Sequence, residues 1–217
     1  MRRAVVLAVV LAACSGGGAS SSTSTVAAPA DSHAAAFEAL VEALEADDFA
    51  TAADLSSGRQ ASLLALAEGL SGAQVAALTD ADRQMVIANF WAGFVTQLQP
   101  TLGSPLSALR TDGWTEVTVG EVDFAIAELF RGSDASVRRM VLVEADGQWT
   151  VDLVASFPAA LINLIPDAAQ IIRATGDARL LDELQSWRSS VEFIIAHTED
   201  DPVLNQAALA ALEAIVR

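Results

Sequence analysis

Apolar side chains recur along this chain with two different periods, and the change from one to the other divides it. In "AAAFEALVEALEADD", Phe37, Leu40, Val41 and Leu44 fall at i, i+3, i+4 and i+7, with Glu38, Glu42 and Glu45 on other faces. That spacing predicts an amphipathic helix. Asp48 is placed to cap a second, short helix from Phe49, whose Ala52 and Ala53 allow close packing on the first. After a looser stretch, "SSGRQASLLALAEGLSG", Thr79 and Asp82 stand in a capping-box-like pair. The helix they start carries two apolar rows, Val86–Phe90–Phe94–Leu98 and Ile87–Trp91–Val95, and ends at Gln99-Pro100. So wide an apolar surface predicts the central helix, buried against both helices and sheet.

Near Trp114 the period drops to two. Val117 and Val119 alternate with polar residues, Gly120 marks a turn or bulge, and Val122, Phe124 and Ile126 alternate in the opposite phase up to Phe130. "RGSDA" then leads to "SVRRMVLVEA", and Asp146-Gly147 joins that run to "QWTVDLVAS". Asp-Gly between alternating runs is a strong hairpin signal. A two-residue loop sets Ala145 opposite Gln148. Leu142 then faces Val151, and Met140 faces Leu153, on a core face; Val141 faces Asp152 on the other. Arg139 would lie diagonal to Asp152 on that second, partly apolar face.

The helical period returns at Phe157, with Pro166 near one helix start and Gly176 as a stop. A long helix follows through Leu180, Leu181, Leu184, Trp187, Val191 and Ile195. Asp201-Pro202 starts a last one, striped by Leu204, Ala208, Leu212 and Ile215 or Val216. The fold class expected is α+β: helices packed on a small antiparallel sheet over residues 34–156, with a helical C-terminal subdomain over 157–217 packed on it.

Ahead of this, Met1-Arg2-Arg3 precedes an apolar run, Ala4 to Ala13, too short to span a membrane, and the pattern reads as a signal peptide over residues 1–13. Leu11-Ala12-Ala13-Cys14 resembles the lipobox of bacterial lipoproteins, with every position matched. The resemblance implies cleavage before Cys14, a diacylglycerol on its sulfur and often an acylated amino group. Each buried methylene contributes about 0.8 kcal/mol, so two or more chains hold firmly where one binds marginally. Residues 14–33 then form the lipidated cysteine and a Gly/Ser-rich tether, with a root-mean-square reach of roughly 20 to 25 Å. The expected location is extracytoplasmic, anchored to the bacterial cell membrane through lipid on Cys14.

Composition narrows the chemistry. A formal net charge of -16 from 12 Lys+Arg and 28 Asp+Glu argues against nucleic acid as a partner. The chain contains no lysine, so Schiff-base, phosphate-loop and Ser-x-x-Lys chemistry are all excluded. Cys14 is the one cysteine, which leaves the folded part without a disulfide or a thiol nucleophile. His33, at the tether, and His197, at a helix end, are too far apart in sequence to suggest a metal centre, and no cofactor is implied. "GLSGA" at 69–73 approaches a nucleophile elbow but ends in Ala73 without a preceding strand. "TDAD" at 79–82 lacks the glycine and terminal Glu of a calcium loop. Asn89, in the central helix, could be hydrogen-bonded in the core or face a pocket.

A helix pair with the texture "ALEADDFATAADL", then a central helix and antiparallel strands ending in "DGQWTVDL", resembles the NTF2-like (cystatin-like) cone over about residues 34–156. The helical tail departs from that family's strand-rich ending. Enzymes of the family, isomerases and dehydratases, place Asp, Tyr or His inside the cone. Tyr is absent here. The resemblance therefore leaves Asp152, supported by Arg139, as the candidate pocket acid, with Asp123 behind it, set against a plain cross-strand ion pair. Three roles follow as expectations. The first is a binding or interaction module for an apolar small molecule or an envelope protein; the second is an isomerase- or dehydratase-type enzyme; the third is a scaffold docking a partner through its C-terminal helices.

Overall fold

The computed structural model describes residues 32–102, 106–131, 138–145, 147–198 and 200–217. Cys14, the signal segment and the tether lie outside these residues, as does Asp146. The fold is α+β, with helices packed on a small, curled antiparallel sheet.

Four of the first five helices start on a side-chain cap. α1 (His33–Glu45) begins at Ser32, whose hydroxyl accepts from Ala35 N. α2 (Phe49–Asp54) begins at Asp48, and α4 (Gly72–Ala76) at Ser71, in a capping box with Gln74. Between them a 3-10 turn (Gly58–Gln60) leads into α3 (Ala61–Ala67). α5 (Asp80–Leu102) opens on Thr79, whose hydroxyl accepts from Asp82 N at 3.2 Å and donates to the Asp82 carboxylate at 2.7 Å. His33 is thus the first turn of α1 rather than tether; its ring lies between Trp114 and Trp149, 4.9 and 5.4 Å away.

The sheet is built on the long strand β3 (Val122–Arg131). β1 (Leu109–Thr111) and β2 (Thr115–Val119) pair with its two ends on one side, and β4 (Arg138–Ala145) pairs along the other. β5 (Gln148–Val151) closes the order β1-β3-β4-β5. The hairpin register is the one its two-residue loop requires, Ala145 opposite Gln148 and Leu142 opposite Val151. Gly120 and Gly147, at φ 64° and 78°, make the two tight turns. The outer edge of β5 is not left open: Val151 N donates to Leu55 O and Ser57 N donates to Val151 O, both at 2.9 Å.

After Val151 the chain leaves the ladder. Asp152 caps α6 (Leu153–Ser156), so Leu153 never reaches the strand position opposite Met140. α7 (Pro158–Leu161) and α8 (Ile165–Thr175) follow, the latter ending on left-handed Gly176. α9 (Ala178–His197) and α10 (Pro202–Val216) complete the chain.

Both faces of the sheet are covered at its centre. Adjacent Val141 and Leu142 point to opposite faces and both are 0% exposed. α1 lies on the face of Leu142, Val151 and Trp149. α9 covers the other, its Phe193 ring 4.7 Å from Phe124. The face expected to be a partly apolar surface is therefore interior. The expected central helix also changes. α5 buries Val86, Ile87, Trp91 and Val95 but exposes Met85 and Asn89, so Asn89 does not sit in the core, and it does not line the groove beside Arg139 and His197. Of the two longest helices α9 is the one laid across the sheet, with Leu180, Glu183, Leu184, Trp187, Ser190, Val191, Phe193 and Ile194 all buried.

Candidate functional site

The acid singled out from the sequence lies at the centre of a buried polar network. Asp152 is 2% exposed. Its Oδ1 accepts from Ala155 N at 2.8 Å, the bond expected of an N-cap, and from Gln60 Nε2 at 2.6 Å. Its Oδ2 accepts from the Ser190 hydroxyl at 2.5 Å. Gln60, itself 0% exposed, uses its other amide atom too: Oε1 accepts from Leu153 N at 2.6 Å. One carboxylate thus ties the 3-10 turn, the start of α6 and the middle of α9. Burial raises the Asp152 pKa above the usual 3.8, and the Ala155, Ser190 and Gln60 hydrogen bonds pull it back.

A second buried acid lies further toward the start of α9. Glu183 Oε1 is 2.6 Å from Arg83 Nη2, and both side chains are nearly inaccessible. Arg83 also donates to Ser62 Oγ at 3.1 Å and to Gly58 O at 2.9 Å. Burial pushes the Glu183 pKa up, opposed by the Ser62 hydroxyl and the Arg83 charge. Trp91 Nε1 donates to Ser56 Oγ and Trp187 Nε1 to Arg59 O, each at 2.8 Å. The segment from Ser56 to Ser62, which looks like a loose surface loop in the sequence, buries Ser56, Ser57, Gln60 and Ser62. Nothing in its composition announces this. Its polar side chains satisfy backbone and ring groups where α2, α6 and α9 converge.

Arg139 does not support Asp152. It is exposed, stands across the ladder from Glu128, and donates to the His197 carbonyl at 3.3 Å, the last turn of α9. Asp123 is exposed on β3 and accepts from the Thr118 hydroxyl at 2.6 Å. The expected Asp152–Arg139 pair is thus not formed, and the second candidate, Asp123, lies apart from both on an exposed strand position. Ser71 is the cap of α4, and Asp82 belongs to the box that opens α5, so neither the elbow-like nor the calcium-like motif builds a site.

What Arg139 does line is an open groove of about 450 Å³. Its origin is geometric. α9 runs over the sheet as far as His197 and stops, while β3 continues, so the Ile126–Glu128–Phe130 end of that face is left uncovered. Asp112, Gly113 and Trp114, from the break between β1 and β2, and Thr115, the first residue of β2, also line the groove. The His197 ring stacks on Phe193 at 4.4 Å, and its Nδ1 bonds Phe193 O at 2.9 Å, which orients the imidazole at the groove's edge. Among the described residues neither Arg139 nor Glu128 makes an ion pair. Asp152 does not line this groove. No group of three or more metal-ligating side chains occurs among the described residues, and no described helix is long and apolar enough to cross a membrane.

No protein-family model matches the chain, and neither a curated protein nor a solved structure matches it.

Proposed function

We propose that this chain is a lipid-anchored, extracytoplasmic lipoprotein of a bacterial envelope whose folded domain is a binding module, with the groove between α9 and the β1–β2 break as its site. The observation that carries the binding role is that groove: an uncovered sheet end that gathers aromatic walls, two carboxylates and a guanidinium that makes no ion pair among the described residues. Such a mix of apolar walls and a few convergent polar groups is the usual composition of a ligand site. The place of action rests on Leu11-Ala12-Ala13-Cys14 and the Gly/Ser run after it. An acid chemistry through Asp152 has less support, because every donor around that carboxylate is already engaged inside the fold. Docking through the C-terminal stripes has less too: Ala208 and Ile215 of the α10 stripe and Leu180, Leu184, Trp187 and Val191 of α9 are buried within the molecule, which leaves Leu181, Val203, Leu209 and Val216 as the exposed large apolar side chains of these two helices.

The anchor is tested by expressing the chain in a bacterial host fed radiolabelled palmitate. The wild type is expected to take up label and partition with membranes, and Cys14→Ser to lose both. A Cys14→Ser protein that stays membrane-bound overturns the anchor.

A further inference from the structure

We infer that the groove takes a neutral saccharide, with Trp114 and Phe130 as stacking surfaces and Asp112, Glu128, Arg139 and His197 as hydrogen-bonding groups. This rests on the groove being the binding site and goes further by naming the ligand class. Trp114 and Phe130 are half-buried, so each is fixed by packing on one side while presenting surface to the groove on the other. Trp114 is held from behind by His33 and by the edge of Phe37, 5.8 Å away. Rigid aromatic surfaces of this kind match a ligand that has an apolar face of its own.

The polar groups then select among ligands with an apolar face. Two carboxylates can only accept hydrogen bonds when ionised, and the guanidinium can only donate. A ligand that satisfies all of them must offer donors and acceptors together, which hydroxyl groups do. Among the described residues Arg139 makes one bond, from Nη1 to the His197 carbonyl, and the rest of its fork faces the groove as donors for a ligand. An anionic ligand meets Asp112, Glu128 and a chain of net charge -16. A cation meets Arg139 directly opposite Glu128, and a purely apolar ligand strips water from three charges without replacing it. A neutral polyhydroxylated ring with one C–H face avoids all three penalties. The open form of the groove also suits a chain of sugar units rather than an enclosed small molecule.

The test uses the full chain carrying Cys14→Ser, so that it stays in solution, with the four tryptophan indole N–H signals followed by NMR. Neutral oligosaccharides of hexoses and N-acetylhexosamines, maltotetraose and chitotetraose among them, are titrated beside anionic and apolar small molecules and a small-molecule extract of bacterial envelopes. At least one neutral oligosaccharide is expected to shift the Trp114 indole. Arg139→Ala and Glu128→Ala, both at exposed positions, are each expected to weaken that binding by about tenfold or more, with the other indole signals unmoved. Saccharide binding that survives both substitutions overturns the assignment of these groups. Shifts from anionic or apolar compounds alone overturn the saccharide class and leave the groove as a binding site. No shift from any compound or from the extract overturns both.

Discussion

Asp152 is where the chemistry of a single side chain departs furthest from its sequence reading. In the alternating run "QWTVDLVAS" it looks like a strand residue pointing to solvent, because the apolar neighbours at 151 and 153 continue the two-residue period. An Asp ahead of "LVAS" is equally a helix cap, and that competing signal wins. Once turned inward, the carboxylate needs donors, and Gln60, Ala155 and Ser190 supply them. Asp152→Ala leaves the Gln60 amide without its acceptor, leaves the Ser190 hydroxyl only the longer bond to Ser186 O, and removes the cap, so we expect a loss of about 2 to 4 kcal/mol in urea unfolding. Asp152→Asn keeps an acceptor for Ala155 N and Gln60, and is expected to stay within about 1 kcal/mol of wild type at neutral pH. The raised pKa sets a sign for pH. A carboxyl that is harder to ionise in the fold than in the open chain binds more protons folded than unfolded over the window above 3.8. Its contribution to stability is therefore complete below 3.8 and is lost as pH rises through the folded value. Glu183 acts in the same direction from 4.5 upward. Thermal unfolding is expected to show stability rising as pH falls from neutral toward that range, with a shallower slope in Asp152→Asn. An unchanged slope assigns the effect to other acids.

At the level of elements, starts and stops were more legible than burial. Asp48, Thr79, Gly176 and Asp201 each end or begin a helix where their chemistry predicts, since a cap is a local bond between neighbours in sequence. Which helix is enclosed is decided by distant partners. α5 has the more apolar sequence yet exposes Met85, whereas α9 hides Glu183 and Ser190 because Arg83 and Asp152 meet them there. The groove was missed for the same reason: Arg139, Trp114 and His197 come from segments far apart in the chain, and only the length of α9 relative to β3 brings them to one edge. A packing detail between short elements gives a further test. A Cβ added at Gly72, in the first turn of α4, would sit 2.9 Å from the Cγ2 atoms of both Ile171 and Thr175 on α8. These are β-branched residues in a helix, whose χ1 is stiff, so the methyls cannot swing aside cheaply. Overpacking then outweighs the helix-propensity gain of alanine, and Gly72→Ala is expected to cost about 1 kcal/mol. In an Ile171→Ala, Thr175→Ser background, which removes both methyls, the same substitution should turn neutral or stabilising. Equal effects in both backgrounds remove the steric explanation.

On the scale of the whole molecule, the division into an α+β part over 34–156 and a helical part over 157–217 follows the change of period but not the core. Phe157 stands among Phe90, Trp91 and Phe94, at ring distances of 5.5, 5.9 and 5.1 Å, so the later segment packs directly on α5 of the earlier one. Phe193 covers Phe124, Trp187 bonds the carbonyl of Arg59, and Ser190 holds Asp152. Cutting after Ser156 would uncover the sheet face of Phe124 and Val141, both 0% exposed in the whole chain, and would leave Asp152 short of a donor. A chain of this composition, with no disulfide to constrain it, depends on core burial for its stability. Residues 32–156 produced alone are therefore expected to lack a cooperative urea transition and to show a poorly dispersed amide spectrum, whereas the full chain shows both a sharp transition and wide dispersion. A well-dispersed fragment would make helices α7 to α10 an accessory layer. It would also move the groove's His197 edge from the folding unit to an attachment, and saccharide binding would then be expected to vary with the docking of α9.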